Sequence, residues 1–113
     1  MIIRNGEGMK EYRVIRNGVG EILLENKFGL DETANRCKMV AVLNLEPGQC
    51  TGYHGHDDDC EILYMLEGEL VCVENGEETV IKPGDCTATA YGEKHQIINR
   101  TDKIARALAV VMK

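Results

Sequence analysis

The chain has 113 residues, enough for one domain around a single core and too few for two. Thirteen Lys and Arg face nineteen Asp and Glu, a formal charge of −6, and no basic stretch stands out, so neither nucleic acid nor an anionic membrane is an expected partner. No apolar run is long enough to span a bilayer, and Met1-Ile2-Ile3-Arg4-Asn5-Gly6 opens no signal-peptide apolar segment, so the expected location is cytoplasmic.

Glycine and proline punctuate the sequence every ten residues or so, the rhythm of an all-β fold. Residues 12–15 and 20–24 read as short strands around Asn17-Gly18. Residues 26–36 are polar, without a helical stripe, and read as a loop. Cys37 to Leu45 is a clear strand: Met39, Ala41, Leu43 and Leu45 alternate with Val40, Val42 and Asn44, and Pro47-Gly48 ends it. Over residues 61–67, Glu61, Leu63 and Met65 share one face and Ile62, Tyr64 and Leu66 the other, which suggests a strand buried on both sides. Residues 69–74 and 78–82 flank Asn75-Gly76, a strong hairpin signal, because a type I′ turn needs positive φ at both central positions. Strands over residues 86–90, 94–99 and 104–112 complete a set of about ten, which predicts a sandwich or barrel.

The most informative residues are the three histidines, the only ones in the chain, together with Glu61. His54 and His56 are two apart, so on an extended strand both point to one face, with Gly55 turned away between them. Glu61 and His95 join them if later strands lie alongside. Leu63 and Met65 share the face of Glu61 and place its carboxylate in apolar surroundings, where a cation is the simplest partner. Three imidazoles and one carboxylate suit one divalent ion, Mn, Fe, Ni, Co, Cu or Zn, and leave coordination positions open for substrate or water.

The spacing around these residues carries a resemblance. One run reads Gly48, five residues, His54-Gly55-His56, four residues, Glu61, six residues, Gly68. A second reads Gly84, five residues, Ala90, one residue, Gly92, two residues, His95, three residues, Asn99. These resemble the two motifs of the cupin superfamily, residues 48–68 matching at every defined position. Residues 84–99 depart once, with Ala90 where the family usually has proline, which bears on the rigidity of a turn and on no ligand. The resemblance implies a single cupin domain over residues 1–113, a double-stranded β-helix or jelly-roll barrel. It also implies a metal held by His54, His56, Glu61 and His95. The family spans many functions, so fold is implied more sharply than reaction.

Five cysteines, Cys37, Cys50, Cys60, Cys72 and Cys86, are odd in number and show no CxxC pair, which fits free thiols in a reducing setting. Cys50 has the parity of His54 and is a candidate for the lining of the site. Asp57-Asp58-Asp59 reads first as a solvated loop and second as a source of negative potential at the barrel mouth. Tyr53 faces away from His54 by parity. Tyr91 and Glu93, in the turn before His95, are the candidate proton-transfer residues, with Asp57 behind them.

Three function classes follow. The first is a metal-dependent enzyme of dioxygenase or decarboxylase type on a small oxygenated molecule. The second is a non-catalytic module that binds or senses a small ligand. The third is a sugar or sugar-phosphate isomerase. Oxalate chemistry calls for a cation on the second carboxylate, and neither motif contains arginine, although Arg36, Lys38 or Arg100 can fold over the opening. With the acidic run, this predicts a small-molecule ligand of at most one negative charge. The apolar residues Ile62, Tyr64 and Leu66 and the segment 1–24 predict a homodimer.

Overall fold

Ten strands and no helix make up the computed structural model, which describes residues Met1–Lys113. In chain order they are β1 (Met9–Arg13), β2 (Ile22–Phe28), β3 (Cys37–Leu45), β4 (His54–Gly55), β5 (Cys60–Glu67), β6 (Leu70–Glu74), β7 (Glu77–Ile81), β8 (Cys86–Thr89), β9 (Lys94–Ile98) and β10 (Ala105–Met112). All pairings are antiparallel. They form a six-stranded sheet, β1-β2-β3-β10-β5-β8, and a four-stranded sheet, β4-β9-β6-β7. Because consecutive strands cross between sheets, the result is the jelly-roll barrel.

Alternation dictates what each sheet turns inward. Glu61, Leu63 and Met65 of β5 are buried, as are Ala105, Ala107 and Ala109 of β10. Those alanines lie between the larger Leu43 and Leu45 of β3 and Leu63 and Met65 of β5, an interleaving of small and large that close packing favours. Leu70, Cys72, Ile81 and Ile97 come from the facing sheet and join the same cluster. The metal-ligand candidates lie on the same inward faces.

Turns keep the register. Asn75 and Gly76 have φ of 50° and 77°, as the hairpin signal requires. Gly68, at φ 72°, passes so close to β10 that a Cβ there would stand 2.5 Å from the Ile104 carbonyl oxygen. Asn99, fully buried, donates from Nδ2 to the carbonyls of Leu45 and Lys103 at 2.8 and 2.7 Å, and its Oδ1 accepts from Thr101 N at 2.9 Å.

Three expectations need correction. The first strand begins at Met9 instead of Tyr12. β2 runs on to Phe28, through residues read as loop, because its polar side chains find partners across the sheet: Asn44 Nδ2 and Arg106 donate to Glu25 Oε2 at 3.1 and 3.0 Å, and Asn26 Nδ2 donates to Glu11 at 3.1 Å. β5 is buried on one face only; Ile62, Tyr64 and Leu66 are exposed on the other at 38, 43 and 43%. No helix is long and apolar enough to cross a membrane.

Candidate metal centre

Strand register explains how four distant residues meet. His54 of β4 and His95 of β9 are direct cross-strand partners in the four-stranded sheet. Glu61 of β5 and Thr89 of β8 are direct partners in the six-stranded sheet. Partners opposite one another in an antiparallel pair share a face, so each sheet turns one pair inward. His56 follows β4 directly, its backbone N–H donating to the Glu93 carbonyl at 3.1 Å and its carbonyl accepting from Gly92 N at 2.7 Å.

The ligand atoms of His54, His56, Glu61 and His95 all lie within 4.8 Å of one another. Nε2 of His95 is 3.1 Å from Nε2 of His54, 3.2 Å from Nε2 of His56 and 2.8 Å from Glu61 Oε1. Every Nδ1 faces outward to a partner. His54 Nδ1 donates to the Gly52 carbonyl at 2.8 Å, His56 Nδ1 lies 2.6 Å from Asp59 Oδ1, and His95 Nδ1 lies 2.9 Å from Thr89 Oγ1. A carbonyl and an ionised carboxylate can only accept, so the neutral rings of His54 and His56 carry their protons on Nδ1 and leave Nε2 as a lone pair. Three ring nitrogens and a carboxylate oxygen converging without a thiolate form a donor set that one divalent cation completes.

Electrostatics act differently on each member of the cluster. Burial pushes the His54 imidazolium down, toward the neutral ligand form. The hydrogen bond to Glu61, helped by Asp59 and opposed by burial, raises His56 and so favours its charged form, whose Nε2 proton a bound cation must displace. Burial works to raise Glu61, but the hydrogen bonds of His56 and His95 overcome it and bring the carboxyl to about 2, so it remains ionised.

The cluster lines a cavity of about 330 Å³ together with the apolar Leu24, Met39, Leu43, Leu63, Ile97 and Val111. Its remaining charged lining is Arg13, Arg16, Lys38 and Asp59. Sequence reasoning missed Arg13 and Arg16, which lie outside both motifs: Arg13 ends the edge strand β1 and Arg16 lies in the turn after it. The acidic run is offset in part: Lys38 Nζ pairs with Asp58 at 3.3 Å and Asp59 at 3.0 Å. Arg100 instead pairs with Glu78, outside the cavity.

Tyr91 and Glu93 stand apart from the cluster. Neither side chain lines the cavity; Tyr91 is 72% exposed. Glu93 Oε1 accepts from Ala90 N at 2.8 Å, closing the turn. A proline at position 90 has no N–H for that bond, so the departure from the motif gives this turn a different lock. Cys50 does not line the cavity either; its backbone bridges Val19 and Ile98. All five cysteines are free. Burial, then Glu74, pushes the Cys72 thiol up to about 12.

The fold defines a β-barrel of the cupin class, with a four-residue cluster that could hold a metal ion. The Cupin domain model matches residues 41–111, and the chain belongs to that family. It is 34% identical over 114 residues to an oxalate-binding protein of Thermotoga maritima, across 99% of this chain and 93% of the relative. A Thermotoga maritima structure described as a predicted oxalate decarboxylase superposes with a TM-score of 0.94 at 34% identity, over 99% of this chain and 98% of that one. The polyketide cyclase RemF of Streptomyces resistomycificus superposes with a TM-score of 0.85 at 19% identity, over 99% of this chain and 78% of that one, a likeness of fold alone.

Proposed function

We propose that the chain binds a small carboxylate, with oxalate the leading candidate, at a divalent ion held by His54, His56, Glu61 and His95. The observation that carries this reading is the lining of the cavity: four convergent metal donors at its wall, and Arg13, Arg16 and Lys38 as its other cationic groups. A divalent ion bound there supplies Lewis-acid attraction for carboxylate oxygens. Arg16 contributes a guanidinium fork that matches a second carboxylate, Arg13 being paired with Glu11 at 2.6 Å, and the apolar lining limits water around it. The expectation of a ligand with at most one negative charge rested on the acidic run, the net charge and the lack of arginine in both motifs; Lys38 pairs with two of the three aspartates, and Arg13 and Arg16 line the cavity from outside the motifs. The name of the Thermotoga maritima relative supports oxalate in particular.

The same lining favours binding over turnover. Decarboxylation must deliver a proton to the carbon that loses carbon dioxide. Beyond the metal donors, the charged lining groups are Arg13, Arg16, Lys38 and Asp59, which Lys38 and His56 keep below the usual carboxylate range against its burial. None is an acid ready to donate at neutral pH. Calorimetry with oxalate on manganese-loaded and chelator-treated protein, with carbon dioxide measured in parallel, tests the reading. The expected result is saturable binding that chelation abolishes, without gas release. Failure of manganese-loaded protein to bind oxalate refutes it, and stoichiometric carbon dioxide would put the decarboxylase class in its place.

A further inference from the structure

The three histidines are not held alike. His54 rests on a backbone carbonyl and His95 on a hydroxyl, whereas His56 rests on a carboxylate. That carboxylate belongs to Asp59, the last of three consecutive aspartates. Only this one is drawn inward: its side chain is 13% exposed against 81% for Asp58. Its two oxygens are divided between two tasks. Oδ1 faces His56 Nδ1 at 2.6 Å, and Oδ2 takes Lys38 Nζ at 3.0 Å. Lys38 stands on β3, in the other sheet from β4, so the bond ties the loop after the histidines to a long, well-paired strand.

We infer that Asp59 is a positioning residue for metal binding and Lys38 its anchor: together they fix the His56 ring with Nδ1 protonated and Nε2 presented to the cation. This rests on the metal reading of the four-residue cluster. A neutral imidazole exchanges its proton between two nitrogens, and the tautomer with Nε2–H cannot ligate through Nε2. An ionised acceptor at Nδ1 selects the competent tautomer, holds the ring plane and raises the basicity of Nε2. Without an anchor, a loop aspartate spends part of its time in solvent. The Lys38 ammonium holds Oδ2 and leaves Oδ1 free for the ring. A loop tie with no influence on the metal would need only the Lys38–Asp58 contact, which leaves His56 untouched.

Zinc affinity, measured by competition with a chromophoric chelator, and histidine tautomers, read by long-range proton–nitrogen NMR on metal-free and zinc-loaded protein, test the inference. Asp59→Ala should weaken zinc binding by about 10- to 100-fold and populate Nε2–H on His56 in metal-free protein, with His54 and His95 unchanged. Asp59→Asn, which keeps the shape and one acceptor oxygen, should recover part of the affinity. Lys38→Met should lose less than Asp59→Ala, in the same direction. Wild-type zinc affinity in Asp59→Ala, an unchanged His56 tautomer, or equal shifts of all three rings with loss of folded dispersion would each overturn the proposal. Should the wild-type chain take up no zinc, the metal reading itself fails. The His56 tautomer in metal-free Asp59→Ala then still decides whether Asp59 sets the ring.

Discussion

A single methyl group at position 52 would set the wall of the cavity against the metal strand. A Cβ on Gly52 would stand 1.8 Å from the Arg16 carbonyl oxygen and 2.8 Å from its carbon. Both are backbone atoms, so no side-chain rotation relieves the overlap. Arg16 and Asn17 already hold φ of 53° and 62°, which leaves the turn little latitude. The two segments are also bonded: Gly52 N donates to the Ile15 carbonyl at 2.9 Å, and Val19 and Cys50 exchange bonds of 3.0 and 3.1 Å. Overpacking costs about 1–3 kcal/mol and the lost Gly52–Ile15 bond about 1 kcal/mol, so Gly52→Ala should destabilise by about 2–4 kcal/mol. For a domain of this size that lowers Tm by about 8–16 °C. Gly48→Ala is the control: its φ is 83° but its surroundings are open, so only left-handed strain of about 1–2 kcal/mol applies. The distinguishing readout is zinc affinity, because the Gly52 carbonyl orients His54 and Gly48 touches no ligand. Circular-dichroism melts and chelator competition on both variants measure it. A Gly52→Ala protein that melts no lower than Gly48→Ala and binds zinc as wild type does would refute the argument.

Other outcomes are equally specific. Oxalate affinity of manganese-loaded protein should fall as salt rises from about 0.01 M to about 1 M, over which the Debye length shrinks from about 30 Å to about 3 Å; an affinity that rises with salt would return the acidic run to dominance. Glu25 lies below its ordinary value of 4.5 through the Asn44 hydrogen bond, against burial and with Arg106 in support, so its stabilisation is fully present above that value and is lost as pH falls through the folded value. Glu25→Gln should therefore destabilise by about 1–2 kcal/mol at neutral pH, a gap that closes in acid; denaturant titrations across pH check it. The exposed outer row of β5, Ile62, Tyr64 and Leu66, supports a homodimer; light scattering should give twice the chain mass for wild type and the chain mass for Tyr64→Glu, and a wild-type monomer at micromolar concentration would refute this.

The strands were legible wherever an apolar run lies between turn signals. Cys37–Leu45 shows its alternation outright, and β3 has those bounds. The polar end of β2 is invisible because Glu25 and Asn26 are satisfied by residues far along the chain, Arg106 and Glu11. His54 and His56 converge by local parity, which a sequence displays. Their meeting with His95 and Glu61 depends on register between β4 and β9 and on the packing of two sheets, which local periodicity does not encode. The cationic lining was hidden for the same reason: nothing near Arg13 or Arg16 hints that their segment crosses over Gly52. Tyr91 and Glu93 drew attention as neighbours of His95 in sequence, yet a tight turn there directs both away from the cavity. Nor can sequence separate Asp59 from Asp57 and Asp58, since only the bend of the chain after His56 decides which one reaches the ring.

The four ligands divide into a rigid half and a dependent half. Glu61 lies on β5, flanked by β10 and β8, and His95 lies on β9, flanked by β4 and β6. Ladder bonds on both sides hold these two backbones whether or not a cation is present. His54 lies on a two-residue edge strand that pairs only with β9, and His56 lies beyond its end. Their placement relies on local devices: the turn at residues 15–19, the turn at residues 90–93, and the Lys38–Asp59 pair. A cation bridging both halves lends the stability of the central strands to the edge segment. Chelation should therefore raise amide hydrogen exchange at residues 50–59 while residues 61–65 and 95–98 keep their protection. Exchange measured by mass spectrometry on zinc-loaded and chelator-treated protein resolves these peptides. A uniform rise across all of them would mean that the metal supports the whole barrel, and no change at residues 50–59 would mean that the edge segment holds its shape without the cation.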